Sequence, residues 1–430
     1  MKPKLQVALD LMNLNRTIPI AKAAIEGGVD WLEAGTPLIK SEGMDSIRKL
    51  REVFPDITIV ADMKTMDVGG LEVEMAAKAG ADIVSILANA DDETFKEAIL
   101  SARNYDAKIM ADLIRIENPQ ERTRELCNLG VDYICVHVGV DAQMRGEDPL
   151  DILDKVVEAS TVPVAVAGGI TSENSAKFLE HGADIIIVGG AITKAKDVAT
   201  ATRDIKKAMD TGTSIKSQVF GKQDKTKIRE IFEKVSTANI SDAMHREPCM
   251  QEIVPMTVTG GKMVGTAYTV RTVDGDWAKP VEAIEAAKKG DVIVVDAGGG
   301  TTAVWGELAS WSCKTKGIRG IVIDGAARDI DEIRDIEFPV FAKHRSSNAG
   351  EPKGYGGTQI DIKCGQRAVK PGDWIIGDDS GVMVVPEKEA LMIANRALDV
   401  MDKENRVREE IKEGKTLSVV MELEKWEKKG

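Results

Sequence analysis

Gly80-Ala81-Asp82-Ile83-Val84-Ser85-Ile86-Leu87-Ala88-Asn89 decides the fold. The glycine stops a helical pattern in the left-handed cap conformation. The apolar run Ile83–Asn89 that follows the Asp reads as a buried strand. The same phrase recurs as Gly28-Val29-Asp30, Gly130-Val131-Asp132 and Gly182-Ala183-Asp184, so that successive copies lie 52, 50 and 52 residues apart. Each interval has room for two strand–helix units, and four copies therefore predict eight strands. Those after the phrase are Trp31–Gly35, Ile83–Asn89, Tyr133–Gly139 and Ile185–Gly190. Those between are Leu5–Asp10, Ile57–Lys64, Lys108–Ile114 and Val162–Gly169. Strands alternating with helices pair in parallel through right-handed crossovers. Eight such units close into a (β/α)8 TIM barrel. The even repeat disfavours a doubly wound open sheet.

In such a barrel the catalytic groups sit at the C-terminal ends of the strands. There this chain places Asp10 on the first strand and Glu33, followed by Thr36, on the second. The third strand ends in Asp62-Met63-Lys64-Thr65-Met66-Asp67, the fifth in Asp112 and the sixth in His137. Charges so close to a buried run are costly to desolvate, by several kcal/mol or so per ion, unless partners or a metal compensate. Strands seven and eight end in Gly168-Gly169 and Gly189-Gly190. Glycines at those two strands let backbone N–H groups approach an anion, the barrel's usual phosphate site. Glu33 with Asp62 suits a hard cation such as Mg²⁺, with waters and substrate oxygens completing its shell. His137 reads as a base poised near neutral pH rather than a satisfied core histidine. His181, at a helix end, reads as a capping or surface residue.

These rim residues give residues 1–210 a specific resemblance. They resemble the orotidine 5′-monophosphate decarboxylase superfamily, whose hallmark is the Asp-x-Lys-x-x-Asp of Asp62, Lys64 and Asp67. Its magnesium-dependent branch contains hexulose-6-phosphate synthase and 3-keto-L-gulonate-6-phosphate decarboxylase. The chain matches it at Asp10, Glu33, Asp62, Lys64, Asp67, His137 and both glycine pairs. Asp112, Val140 and Gly190 follow the synthase pattern. The resemblance implies a reversible aldol condensation of ribulose 5-phosphate with formaldehyde to hexulose 6-phosphate, with decarboxylation of keto-gulonate phosphate as the alternative. It assigns the metal to Glu33 and Asp62, and catalysis to Lys64, Asp67, Asp112 and His137. Asp10, Gly168, Gly169, Gly189 and Gly190 then bind the sugar phosphate. It also implies a homodimer, because the residue matching Asp67 reaches across an interface.

The chain has 430 residues, too many for one ordinary core, so two domains are expected. From Met209 to about Thr226 the sequence loses periodicity, and 211–226 reads as a linker. Beyond it, short apolar runs at Asp291–Asp296, Gly320–Asp324, Trp374–Ile376 and Val382–Val385 predict a mixed α/β swivelling domain over 227–430. A charged helix, roughly Lys388–Gly414, follows them. Three phrases stand out: Asp296-Ala297-Gly298-Gly299-Gly300, Gly306-Glu307-Leu308-Ala309, and Arg328-Asp329 with Glu332. The triple glycine has neither dinucleotide-fingerprint nor P-loop spacing. With Ser236–Ala243, these phrases resemble the family of the regulator of ribonuclease activity A and 4-hydroxy-4-methyl-2-oxoglutarate aldolase. That resemblance implies that Arg328 grips a carboxylate and Asp329 binds Mg²⁺ or Mn²⁺. Glu307 then orders the metal's waters, while backbone N–H groups of Gly306 to Ala309 steady an enolate. It also implies a trimer, and as an alternative role a non-catalytic module that binds a ribonuclease.

The formal charge of −13 disfavours direct binding to nucleic acid or an anionic membrane. Aromatic residues, at 4%, are too few for base-stacking platforms. Cys127, Cys135, Cys249, Cys313 and Cys364 show no CxxC spacing and read as reduced thiols. No signal-peptide pattern or membrane-spanning run is visible, so a cytoplasmic location is expected.

Overall fold

The computed structural model describes residues 2–219, 221, 223–257, 261–421 and 423. Residues 220 and 222 of the expected linker, and 258–260, 422 and 424–430 of the expected second domain, lie outside the described residues.

The chain divides into two compact units, Met1–Lys222 with Asp402–Gly430, and Gln223–Met401. The expected domain 227–430 therefore differs from the second unit at its C-terminal end. Arg406 and Glu410 supply the physical reason, because they bond to Thr193, Ala195 and Arg16 of the first unit.

In the first unit eight parallel strands form a closed barrel in sequence order. They are β1 (Lys4–Leu9), β2 (Trp31–Ala34), β3 (Thr58–Thr65), β4 (Ile83–Leu87), β5 (Lys108–Asp112), β6 (Tyr133–His137), β7 (Val164–Ala167) and β8 (Ile185–Val188). β8 pairs with β1 in the register Leu5↔Ile186 to close the ring. Inside it pack Trp31, Val60, Ile83, Met110, Tyr133 and Ile185. Trp31 and Tyr133 meet edge to face at 5.6 Å, the arrangement the ring quadrupoles favour. Outside it the helices bury Phe95, Phe178, Leu50 and Ile205 against the strands.

The fourfold phrase has a structural meaning in both its fixed residues. Gly28, Gly80, Gly130 and Gly182 have φ of 96°, 111°, 99° and 89°, left-handed values that only glycine adopts freely. Each Asp then serves the preceding odd strand. The backbone N–H of Leu5 donates to Asp30 at 2.8 Å, that of Ile59 to Asp82 at 2.7 Å, that of Ile109 to Asp132 at 2.8 Å and that of Val164 to Asp184 at 3.0 Å. The repeat thus ties even strands to odd ones at the end of the barrel opposite the charged rim.

The second unit holds a mixed sheet, whose strand order is not the chain order. It runs Gly381–Val385, Trp374–Asp378, Met263–Arg271, Asp291–Asp296, Gly320–Ala327, Val340–Arg345 and Val254–Pro255. The central members are parallel, and the pairs at either side are antiparallel. The expected helix is Ala390–Lys412. All five cysteines are free. Among the described residues no helix is long and apolar enough to cross a membrane.

Candidate functional site

The charged residues of the first unit gather at the barrel mouth, and a bulge in β3 aims them. Ala61 pairs with Val84 and Thr65 with Ile86, so residues 62–64 fall outside the ladder with β4. Lys64 takes a left-handed φ of 53°. Such bulges redirect side chains beside active sites, and an observed outlier of this kind is a pointer to function. Lys64 Nζ donates to Asp62 Oδ1 at 2.7 Å and Oδ2 at 2.8 Å, and to Asp112 Oδ2 at 2.8 Å. Thr36 Oγ1 donates to Asp62 Oδ2 at 2.7 Å and also to the Asp62 carbonyl.

His137 Nδ1 lies 2.9 Å from Asp112 Oδ2. A carboxylate can only accept, so Nδ1 carries a proton, and in the neutral ring Nε2 then has the lone pair. Asp112 Oδ1 takes the backbone N–H of Ile114 at 2.9 Å. Asp112 is 2% exposed. Burial alone would raise its pKa, but His137 and Lys64 hold it well below the usual carboxylate range. Burial likewise works against charge on Lys64, and Asp112 and Asp62 override it, so that its pKa rises. The rim therefore presents a fixed ammonium and a carboxylate-braced imidazole side by side.

Opposite them the field is negative. Glu33 is buried on β2 and accepts from Gln6 Nε2. Burial, Asp62 and Asp10 push its pKa well above normal, against Lys64 and Gln6. Asp10 follows β1, with its carboxylate pointing between Gly35 and Gly189. The residue is open to solvent, yet its carboxylate is crowded by the two glycine turns and by other charges of the mouth. Its burial and the nearby Asp62 raise its pKa, while Lys64, His137 and Lys194 oppose the shift.

The glycine pairs border the same mouth. Gly168 and Gly169 have φ of 119° and 68°. A Cβ on Gly168 would lie 2.6 Å from the Val138 carbonyl, so no side chain fits there. Gly189 and Gly190 open the short helix Gly190–Thr193.

Asp67 stays outside the cluster. It is exposed and accepts from the Val68 backbone at 2.7 Å. Sequence reasoning missed Gln6 and Lys194. Gln6 interrupts the apolar run of β1, a visible signal. Lys194 follows Gly190 by four residues, which brings its Nζ to 3.4 Å from where a Gly190 Cβ would stand.

In the second unit two of the expected phrases meet, Gly306-Glu307-Leu308-Ala309 and Arg328-Asp329. Glu307 begins the helix Glu307–Lys316, and its backbone N–H donates to Asp329 Oδ2 at 3.2 Å. Arg328 Nε lies 3.4 Å from the same oxygen. A Cβ on Gly306 would stand 2.5 Å from Asp329 Oδ2, so this close approach requires glycine. Asp329 has a φ of 57° and caps the helix Ile330–Asp335. The side chain of Leu308 points into solvent, at 80% exposed, while Ala309 packs on the core.

Among the described residues no group of three or more His, Cys, Asp or Glu is arranged to hold a metal. Glu33 and Asp62 nevertheless fit a hard cation in part. Their donors are oxygens, the charge of Asp62 helps to push the Glu33 pKa up, and the buried Gln6 Oε1 beside Glu33 has no hydrogen-bond partner. Two protein carboxylates with water and substrate in the remaining positions is an ordinary Mg²⁺ arrangement.

Residues 3–205 match the model of the orotidine 5′-phosphate decarboxylase / HUMPS family, and residues 237–384 that of the RraA-like family, Aldolase/RraA. The 3-hexulose-6-phosphate synthase of Bacillus subtilis (strain 168) is 37% identical over 210 residues, which are 49% of this chain and 100% of the relative. That of Mycobacterium gastri is 38% identical over 206 residues, 48% of this chain and 99% of the relative. Among solved structures, the RNA-processing inhibitor RraA from Thermus thermophilis is 26% identical with a TM-score of 0.34, covering 36% of this chain and 94% of that one. Through its first half, then, the chain belongs to the orotidine 5′-phosphate decarboxylase / HUMPS family of enzymes, and it carries an Aldolase/RraA domain in its second.

Proposed function

We propose that the barrel is a hexulose-6-phosphate synthase, which reversibly joins ribulose 5-phosphate and formaldehyde into hexulose 6-phosphate. The observation that carries this reading is the shared use of Asp112 by Lys64 and His137, in a chain that covers synthase relatives from end to end. The glycine pairs, with Lys194 beside Gly190, receive the phosphate. His137 Nε2 takes a proton from C1 of the sugar. Lys64 stabilises the resulting enediolate as a fixed charge that needs no reorganisation. The C1 carbanion forms a bond to the formaldehyde carbon, whose carbonyl electrons move onto oxygen. The alkoxide so formed takes back the proton from His137. Mg²⁺ or Mn²⁺ held by Glu33 and Asp62 would supply Lewis-acid polarisation of the sugar carbonyl.

Decarboxylation of 3-keto-L-gulonate 6-phosphate is the less favoured reading, because the two relatives above are synthases and Val140 stands where that enzyme carries an Arg. A homodimer, in which Asp67 of one copy completes the mouth of the other, accounts for its position outside the cluster. For the second unit we propose weak, divalent-metal-dependent cleavage of a pyruvate-derived aldol. Arg328 grips the carboxylate, and Asp329 and Glu307 hold the metal and its waters. Binding of a ribonuclease without catalysis is the alternative there. Asp62→Ala decides the barrel reading: formaldehyde-dependent consumption of ribulose 5-phosphate should vanish while circular dichroism stays unchanged. Full activity in that variant, or in chelator, would refute the metal assignment. Rapid CO₂ release from the gulonate phosphate without any formaldehyde reaction would refute the synthase itself.

A further inference from the structure

The turn after β8 is a weak element by itself. The helix Gly190–Thr193 has four residues, well short of the length at which a helix is stable in isolation. A helix leaves its last carbonyls without an intrahelical partner, here that of Thr193, with that of Ala195 just beyond the helix end. Both are met from far along the chain: Arg406 Nη1 donates to the Thr193 carbonyl at 2.5 Å and to the Ala195 carbonyl at 3.4 Å. Arg406 Nε in turn approaches Glu410 Oε1 at 3.4 Å. The same carboxylate oxygen takes Arg16 Nη2 at 2.7 Å, and Arg16 Nη1 donates to the Val420 carbonyl at 3.2 Å. Arg16 belongs to the helix Leu14–Glu26, which follows β1 and Asp10. One carboxylate therefore straps together the helix after β1 and, through Arg406, the turn after β8. β1 and β8 are the pair whose bonding closes the barrel, and their turns carry Asp10, Gly189 and Gly190.

We propose that Arg406 is a positioning residue for sugar-phosphate binding, supplied to the barrel by the segment that follows the Aldolase/RraA domain. This rests on the reading of Gly189 and Gly190 as the phosphate site. Arg406 does not touch substrate. It holds the carbonyl end of the turn, and so fixes where the glycine N–H groups at the other end point. Its planar fork reaches two carbonyls and a carboxylate together, a set that Lys cannot reproduce.

The test uses the full-length protein and two readouts. Calorimetry measures binding of inorganic phosphate that ribulose 5-phosphate displaces, and steady-state kinetics measure KM and kcat. Arg406→Met should raise the phosphate Kd and the sugar KM about tenfold, with kcat held within about twofold, as expected for loss of charge-assisted hydrogen bonds that act on binding alone. Arg406→Lys should recover part of that loss. Unchanged Kd and KM in a folded Arg406→Met protein would overturn the proposal, as would a fall in kcat alone. If Arg406→Met does not fold, Glu410→Gln, which loosens the strap without emptying the space, decides by the same split. Arg406-dependent phosphate binding in a protein without synthase turnover would refute the proposed function and leave this inference standing.

Discussion

Asp112 is the residue on which the proposed site turns. It is nearly inaccessible, ionised, and shared by Lys64, His137 and the Ile114 backbone. Asn in its place keeps the volume and an acceptor oxygen but removes the charge. His137 then loses the anion that braces it as it takes a proton, and Lys64 is left to Asp62. Asp112→Asn should lower kcat by about 10² to 10⁴, the range of a positioned general base, with the fold retained. Steady-state kinetics beside a thermal melt check it, and a change of less than about threefold would remove Asp112 from the mechanism. Residue identities at the rim were legible in sequence because charge at the end of a buried run is conspicuous. Their mutual bonding was not. Nothing local says that Lys64 turns to φ 53° or that it bridges two strands.

At the scale of elements, the Gly-x-Asp phrase gave all eight strands to within a few residues. It worked because each copy performs two local tasks, ending a helix and accepting one strand N–H. The second task makes a prediction. Asp132→Ala leaves the buried N–H of Ile109 without its 2.8 Å acceptor. The barrel should lose about 1–3 kcal/mol, the cost of an unsatisfied buried donor, with kinetics unaltered below the melt. Denaturant titration measures this, and an unchanged midpoint would demote the Asp to ornament. The second unit was far less legible. Its apolar runs are strands, but Met263–Arg271 lies between Trp374–Asp378 and Asp291–Asp296. Pairing across about a hundred residues depends on tertiary packing, for which propensity and period carry no signal.

At the scale of the molecule, burial sorts the five thiols. Cys127 and Cys249 are half-buried, while Cys135, Cys313 and Cys364 are buried. Burial pushes the Cys313 thiol up to about 12, and those of Cys135 and Cys364 well above normal. Iodoacetamide at pH 8 should modify Cys127 and Cys249 in the native protein and spare the other three, as read by peptide mass spectrometry. The sign for stability follows. In the unfolded chain these thiols ionise near about 8.5, whereas in the fold they do not. Stability is therefore complete below that pH and declines as pH rises toward 12, by up to about 1.4 kcal/mol per pH unit for each buried thiol. A melting temperature that is level from pH 8 to 11 would contradict this.

The first unit is written in two instalments, Met1–Lys222 and Asp402–Gly430, with 223–401 between them. Translation proceeds at about 5–20 residues per second. A nascent barrel therefore waits on the order of ten seconds or more for Arg406 and Glu410 to leave the ribosome. During that interval its β1–β8 seam is closed by backbone bonds and core packing, without the Arg406–Glu410 strap. If Arg406 positions the phosphate site as proposed, the newborn enzyme passes through a youth in which it is shaped like a barrel but grips its substrate poorly, and it matures only when the strap arrives.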